Sequence, residues 1–186
     1  MISSRLMYDG RMSRPSEKIL ILDRGVVELA FPREWTVKTN PSGYLELVDP
    51  TDSCKLEVSY LKVPSLGPDS PKVSDLLGQV LTGCTDVCSP EPIATQERGS
   101  LRLAWTTYTY EAPDAERGQT RKAFGRWMIG SNGTVFVLLT YYYWADDASW
   151  AVLAWERMAG TLRVEGKVTP ASRKADWTLR DPGMSN

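Results

Sequence analysis

The chain reads as an α+β domain, a twisted antiparallel sheet with a helix packed on each face. Three observations carry this reading. Short strand-like runs that alternate apolar and polar residues fill the first third, separated by turn clusters such as Asn40-Pro-Ser-Gly43 and Asp49-Pro-Thr-Asp-Ser53. Helical spacing appears in Val73–Leu81 and again after Asp146-Asp147. Finally, the run Thr134–Trp144 is apolar at both alternating sets of positions: Val135, Val137 and Leu139 on one side, Phe136, Leu138 and Tyr142 on the other. A strand apolar on both faces needs cover on both, which places this run in the middle of the core.

The elements follow in order. Val26–Phe31 is strand-like and stops near Pro32; Trp35–Thr39 and Tyr44–Val48 continue a meander. In Lys55–Val63 the residues Leu56, Val58 and Tyr60 share one face. Prolines between Pro64 and Pro71 make a loop, and Val73, Leu76, Leu77, Val80 and Leu81 mark the first helix, with Gly83 at its end. After a second loop come Leu101–Tyr110, a polar hairpin tip at Ala112–Gly118, a return at Arg121–Ile129 and an Asn132-Gly133 turn into the last strand. Asp146 or Asp147 is expected to cap the closing helix. That helix is expected to run to about Val164, with Trp150, Ala151, Ala154, Trp155, Met158 and Leu162 on its buried side. The domain is expected over residues 25–165, with an N-terminal arm at 1–24 that adds at most one strand at Ile19–Leu22. Residues 166–186 read as a polar tail.

Composition narrows the function. A chain of 186 residues suits one domain; at about 150 residues a domain buries roughly 68–70% of its unfolded surface, enough to fold without staples. The net charge is −1, from 22 basic and 23 acidic residues, so no basic field collects nucleic acid or anionic lipid. The N-terminus lacks the apolar stretch of a signal peptide. No apolar run approaches the ~18 residues of a membrane helix. Three cysteines at irregular spacing, Cys54, Cys84 and Cys88, suit a reducing compartment, although a Cys84–Cys88 bridge is possible in an oxidising one. A soluble, cytoplasmic protein is expected, with neither nucleic acid nor membrane as partner.

Histidine is absent, which removes Ser-His-Asp and Cys-His catalysis and His-ligated zinc. Cys84-x-x-x-Cys88 lacks the spacing of a redox or zinc motif. Asp49 and Asp52 flank a proline turn and read as turn residues rather than cation ligands. Gly125, Gly130 and Gly133 form no phosphate loop; Gly125 reads as a bulge or a point of close packing. No catalytic, metal or cofactor residues are assigned, and the protein is expected not to be an enzyme.

The local motifs Phe31-Pro-Arg-Glu-Trp35, Leu47-Val-Asp-Pro50 leading into Leu56–Leu61, and Ala159-Gly-Thr-Leu-Arg-Val164, in this element order, resemble the PsbP-like fold family, the family of the photosystem II extrinsic protein PsbP and the Ran-release factor Mog. The resemblance spans about residues 25–165 and implies an αβα sandwich. It also implies a role among the fold's many non-enzymatic binding and assembly proteins. The metal-binding histidines of plant-type members have no counterpart here, and no functional residue carries over.

Seven tryptophans and eight tyrosines are the richest remaining signal. Most are expected to fill the core. Those left exposed are candidate hot spots for a protein partner; the candidate patch is Tyr108, Tyr110, Arg126, Tyr141, Tyr143 and Trp144. The expected function is a non-catalytic cytosolic protein-interaction domain, an adaptor, chaperone or immunity-type binder whose partner is another protein. The alternative is a small-molecule or lipid binder with a pocket between the second helix and the sheet.

Overall fold

The structure is a computed structural model that describes residues 16–40, 44–63, 71–84, 89–114, 117–165 and 177–180. Among the described residues, two antiparallel sheets and two α-helices make up the fold. The larger sheet has seven strands: β3 (Thr36–Thr39), β4 (Leu45–Val48), β5 (Cys54–Lys62), β6 (Ala94–Arg98), β7 (Leu101–Asp114), β8 (Gln119–Ser131) and β9 (Val135–Trp144). Their spatial order is β3-β4-β5-β9-β8-β7-β6. The first meander therefore meets the last strand of the second, and β9 lies centrally between β5 and β8. The smaller sheet has the order β10-β2-β1-β11, from β1 (Glu17–Leu22), β2 (Val27–Pro32), β10 (Arg163–Val164) and β11 (Trp177–Arg180).

Alternate residues of β7, β8 and β9 enter two separate apolar clusters, as the pleat requires. One gathers Ala104, Tyr108, Trp127 and Ile129 with Val73, Leu77 and Leu81 of helix α1 (Val73–Thr82). The other gathers Leu101, Leu103, Met128 and the odd-numbered residues Val135–Tyr143 of β9. Ala151, Trp155 and Met158 of helix α2 (Ala148–Thr161) join it, as do Leu20, Leu22, Val27, Leu29 and Phe31 of the small sheet. The small sheet thus shares this second side with α2, a layer that the alternation of the long strands does not disclose.

That layer changes both ends of the expected domain. The segment expected as an arm ends in β1, which pairs with β2 from Glu17 to Leu22 and buries Leu20 and Leu22. Within the expected tail, β11 pairs with the other edge of β1. The closing helix stops at Thr161, earlier than expected. Arg163 and Val164 instead turn extended and pair with Glu28 and Val27. Arg98 ties off the helix by donating to the carbonyls of Gly160 and Ala159 at 2.5 and 2.9 Å, so the last turn's orphan acceptors are satisfied by a distant strand. Trp150, expected inside, is 37% exposed, and the buried side is Ala151, Trp155, Met158 and Ala159. Strand β6 had no apolar alternation to reveal it: Ala94-Thr-Gln-Glu-Arg98 is an exposed edge strand that carries the charge expected of an edge.

The expected carboxylate cap is also replaced. Asp147 occupies the N-cap position of α2 but makes no side-chain cap bond. A short 3-10 turn, Ala145–Asp147, precedes the helix and points its acids elsewhere. Asp147 accepts from the Trp150 indole at 3.3 Å, and Asp146 accepts from Arg121 at 3.0 Å. By contrast, the turn reading of Asp49 holds. Its carboxylate accepts from the Cys54 and Thr51 amides at 2.6 and 2.9 Å and from the Thr51 hydroxyl at 2.5 Å.

Gly125 is a point of close packing. It pairs across the strands with Tyr108 on one side and Tyr142 on the other. The Tyr108 ring lies over it, where a Cβ would overlap ring carbons. We expect Gly125→Ala to lower stability by about 1–3 kcal/mol through overpacking, measured as a fall in the urea midpoint. An unchanged midpoint would place the ring elsewhere.

Burial keeps several core acids neutral. Desolvation raises the Cys54 thiol from 9.0 to about 12, and Tyr110 from 10.0 to about 12; it also raises Tyr108, Tyr141 and Tyr143. An acid whose folded pKa is raised contributes stability that is fully present below its unfolded pKa and is lost as pH rises through the folded value. Stability should therefore stay level to about pH 8.5 and fall progressively between about 9 and 12. Cys54→Ala should delay the onset towards 10, where the tyrosines begin. Denaturant midpoints across this range check the sign; a rise above pH 9 would contradict the burial of these groups.

Candidate functional site

The six residues of the expected aromatic and basic patch do not form one surface. Tyr108, Tyr141 and Tyr143 are buried, while Tyr110, Arg126 and Trp144 are half-buried. Strand parity also separates them. Tyr141 and Tyr143 belong to the cluster under α2, and Tyr108, with Tyr110 packed against it, belongs to the cluster under α1. Tyr141 is fully enclosed, stacked between Trp35 at 6.3 Å and Trp155 at 5.6 Å between centroids. Its hydroxyl donates to the Ala151 carbonyl at 3.1 Å. Arg126 donates to the Tyr143 hydroxyl at 3.2 Å. These rings build the core, and a stacking platform across them is not available.

Two cavities open on the α1 side, where the described residues leave cover incomplete. The first is an open apolar groove of about 520 Å³ between α1 and strands β5 and β9. Leu76 and Val80 of α1 form one wall, Phe136 and Leu138 of β9 the floor, and Leu61 and Val63 the far wall, with Tyr44 at the rim. Leu61 is 62% exposed and Tyr44 51%. Among the described residues no charged side chain lines it; the polar lining side chains are Ser59 and the two phenols of Tyr44 and Tyr60. The β5 alternation held the clue. With Leu56, Val58 and Tyr60 directed to the core, Leu61 falls on the opposite face, an apolar residue where a solvated strand would carry a polar one.

The second cavity, about 230 Å³, lies at the far end of the same strands. Tyr110, Ala123 and Trp144 face one another across β7, β8 and β9 in a single cross-strand row. Tyr142, Lys55 and Asp52 also line it, as do Ser53, Cys54 and Tyr143. Tyr110 and Tyr142 stand nearly perpendicular, 84° apart with centroids at 6.3 Å. Trp144 also carries the Arg121 guanidinium 4.5 Å from its ring centroid. Arg121 is itself bonded to Asp114 at 2.8 Å and Asp146 at 3.0 Å.

A third cavity, about 500 Å³, touches the last turn of α2 at Gly160 and Thr161, the position expected for a pocket between the second helix and the sheet. Glu28, Arg98, Arg163 and Glu165 line it together with aliphatic side chains such as Ile19, Leu29, Leu101 and Val164, so its lining mixes charged and apolar groups. Among the described residues, no group of three or more cysteine or acidic side chains is placed to hold a metal ion. Cys54 is a buried free thiol and Cys84 is half-buried; Cys88, and with it the question of a Cys84–Cys88 bridge, lies outside the described residues. No described helix is long and apolar enough to cross a membrane.

The fold recurs in solved structures. Cyanobacterial PsbP (CyanoP) from Synechocystis sp. PCC 6803 is similar at a TM-score of 0.55 and 12% identity, over 86% of this chain and 99% of that one. LpqN of Mycobacterium tuberculosis, described as involved in cell envelope biogenesis, gives 0.52 and 14%, over 75% and 83%. A protein from Bacteroides thetaiotaomicron VPI-5482 gives 0.56 and 13% over 82% of this chain, which spans 50% of that protein's length. At these identities the likeness is one of fold, and it agrees with the PsbP-like resemblance of the sequence. A curated relative, alr1449 of Nostoc sp. (strain PCC 7120), is 27% identical over 164 residues, 84% of this chain and 82% of that protein. The Alr1449 family model matches residues 18–167, a span that begins within β1 and includes every element through β10; the chain belongs to the Alr1449 family.

Proposed function

We propose that this protein is a non-catalytic protein-interaction domain that seats an apolar segment of a partner protein in the groove between α1 and strands β5 and β9. The observation that carries this reading is the exposure of Leu61 and Tyr44 at the rim of an open groove with an aliphatic and aromatic lining. Large exposed apolar side chains grouped around a depression mark interaction sites on soluble proteins, and tyrosine is favoured at the centre of such contacts. The described lining is aliphatic and aromatic, without the charged groups from which general acids, bases or nucleophiles are made, which supports a binding rather than a catalytic role. Holding apolar segments fits an adaptor or chaperone better than an immunity-type binder, whose contacts would be expected to include matched charges.

The αβα description of the fold belongs to this proposal. The alternation of β7–β9 between the α1 cluster and the α2 cluster supports a helix on each face. So does a cytoplasmic setting, which rests on irregularly spaced cysteines of which Cys54 is a buried free thiol.

A second reading has one observation in its favour. At about 520 Å³ the groove falls within the 300–1,000 Å³ range of small-molecule sites, so an acyl chain or similar apolar ligand would fit against α1.

Leu61→Asp tests both readings. Exposed and on the outer face of β5, this change should leave stability within about 0.5 kcal/mol. Co-purification from the native host should recover a partner with the wild-type protein and lose it by tenfold or more with Leu61→Asp. A partner retained at the wild-type level sinks the groove as its site. Recovery of a lipid or small molecule by mass spectrometry, lost in the variant, establishes the second reading instead.

A further inference from the structure

The cavity over Ala123 is independent of the apolar groove and has a different chemistry. We propose that Tyr110, Tyr142 and Trp144 form an aromatic cage for a quaternary or otherwise alkylated ammonium group, with the Asp52 carboxylate at its rim as counter-charge.

Register builds the cage. Tyr110, Ala123 and Trp144 occupy one cross-strand row, so two rings rise on either side of a position filled only by a methyl. Tyr142 closes the corner, its ring plane at 84° to that of Tyr110. Three half-buried rings line the cavity around a small floor, and aromatic rings grouped around a space attract a cation whose own charge is spread over methyl groups. The volume supports a group rather than a whole molecule. About 230 Å³ lies below the range of drug-sized ligand sites but accommodates a compact head group.

The surrounding charges agree. Lys55, which lines the cavity, stands 5.9 Å from the Tyr142 ring centroid. It is drawn off by Glu57 at 2.9 Å and Glu46 at 3.7 Å, so that this trio is net negative. Arg121 and Arg117 balance Asp114 and Asp146 outside the cavity. The exposed Asp52 then adds a further negative charge at the mouth. Its backbone is left-handed, with φ of 56°, a conformation that a short polar residue tolerates. Burial keeps Tyr110 a neutral phenol, its pKa pushed up to about 12. Lys55 and Arg121 already use Tyr142 and Trp144 as cation platforms within the protein itself.

A shape-matched pair of probes provides the test: choline and its uncharged isostere 3,3-dimethylbutan-1-ol, titrated into the full chain labelled with ¹⁵N. Choline should shift the Trp144 indole resonance and bind at least about tenfold more tightly than the alcohol. Asp52→Asn, which suits the left-handed backbone and so preserves the fold, should weaken choline severalfold and leave the alcohol unchanged. Trp144→Leu should weaken it about tenfold or more. A third probe, an Nε-trimethyllysine peptide, separates the sources: tighter binding than choline assigns the group to a modified protein side chain, and equal or weaker binding to a small molecule. Equal affinity for choline and the alcohol, no shift at Trp144, or choline binding unmoved in both variants overturns the cage.

Discussion

Tyr141 is the side chain through which the layers of this protein are joined. It projects from the central strand of the larger sheet and is fully buried. It stacks on Trp35, which follows the small sheet, and on Trp155 of α2, while its ring also meets Tyr143 at 5.3 Å. Each such aromatic pair contributes about 0.5–1.5 kcal/mol beyond the area it buries. The hydroxyl is the more restrictive part. Buried without a partner it would cost about 1–3 kcal/mol, and it is satisfied by the Ala151 carbonyl in α2. The register of β9 against β5, the position of α2 and the docking of the β2–β3 connection must all be correct before this one residue is both packed and hydrogen-bonded. The remaining core on that side, from Leu20 to Val164, assembles around the same contact.

Cover on the opposite side is incomplete for a geometric reason. Helix α1 has ten residues, about 15 Å of length, against seven strands spaced about 4.8 Å apart. It seals Ala104, Tyr108, Trp127 and Ile129 over β7 and β8 and leaves the corresponding face of β5 and β9 partly open. The even-numbered residues of β9 are accordingly half-buried at Phe136, Leu138, Tyr142 and Trp144, while the odd-numbered ones are buried. Both the apolar groove and the aromatic cavity lie on this uncovered strip, at opposite ends of β9. They are separated by polar groups: Thr140 donates to Glu57, which pairs with Lys55. Both proposed sites lie where the fold runs out of helix.

Much of the architecture was readable because period and polarity report burial directly. The alternation in β5, the doubly apolar β9, the turn at Asn132-Gly133 and the spacing of Val73, Leu77 and Leu81 each specify an element by local chemistry. The turn is held by Asn132, whose side-chain oxygen accepts from the amides of Thr134 and Val135, and Gly133 supplies the φ of 95° that it needs. The readings that failed concern elements whose reason lies elsewhere in the chain. β6 is a strand because a neighbour offers hydrogen bonds, not because its own residues alternate, and the short β11 finds its partner in β1, at the far end of the chain. Arg163 and Val164 leave the helical course because β2 presents a free edge. Asp146 turns from a cap into an ion-pair partner because Arg121 reaches it from β8.

The aromatics mark the same division. Composition alone established that the rings are too numerous to be incidental, and that without histidine or a strong charge the protein would depend on packing and shape. Strand parity sorts the rings of one strand into two faces. It does not say which face receives α2 and the small sheet and which is left to a single short helix. That depends on strand order, on the crossing that sets β5 beside β9, and on the length of α1 relative to the width of the sheet. Tyr141 and Trp144, three residues apart on one strand, illustrate the outcome. One is sealed between two tryptophans and the other stands at the rim of a cavity, because burial is decided by what lies opposite a side chain, and only the assembled layers determine that.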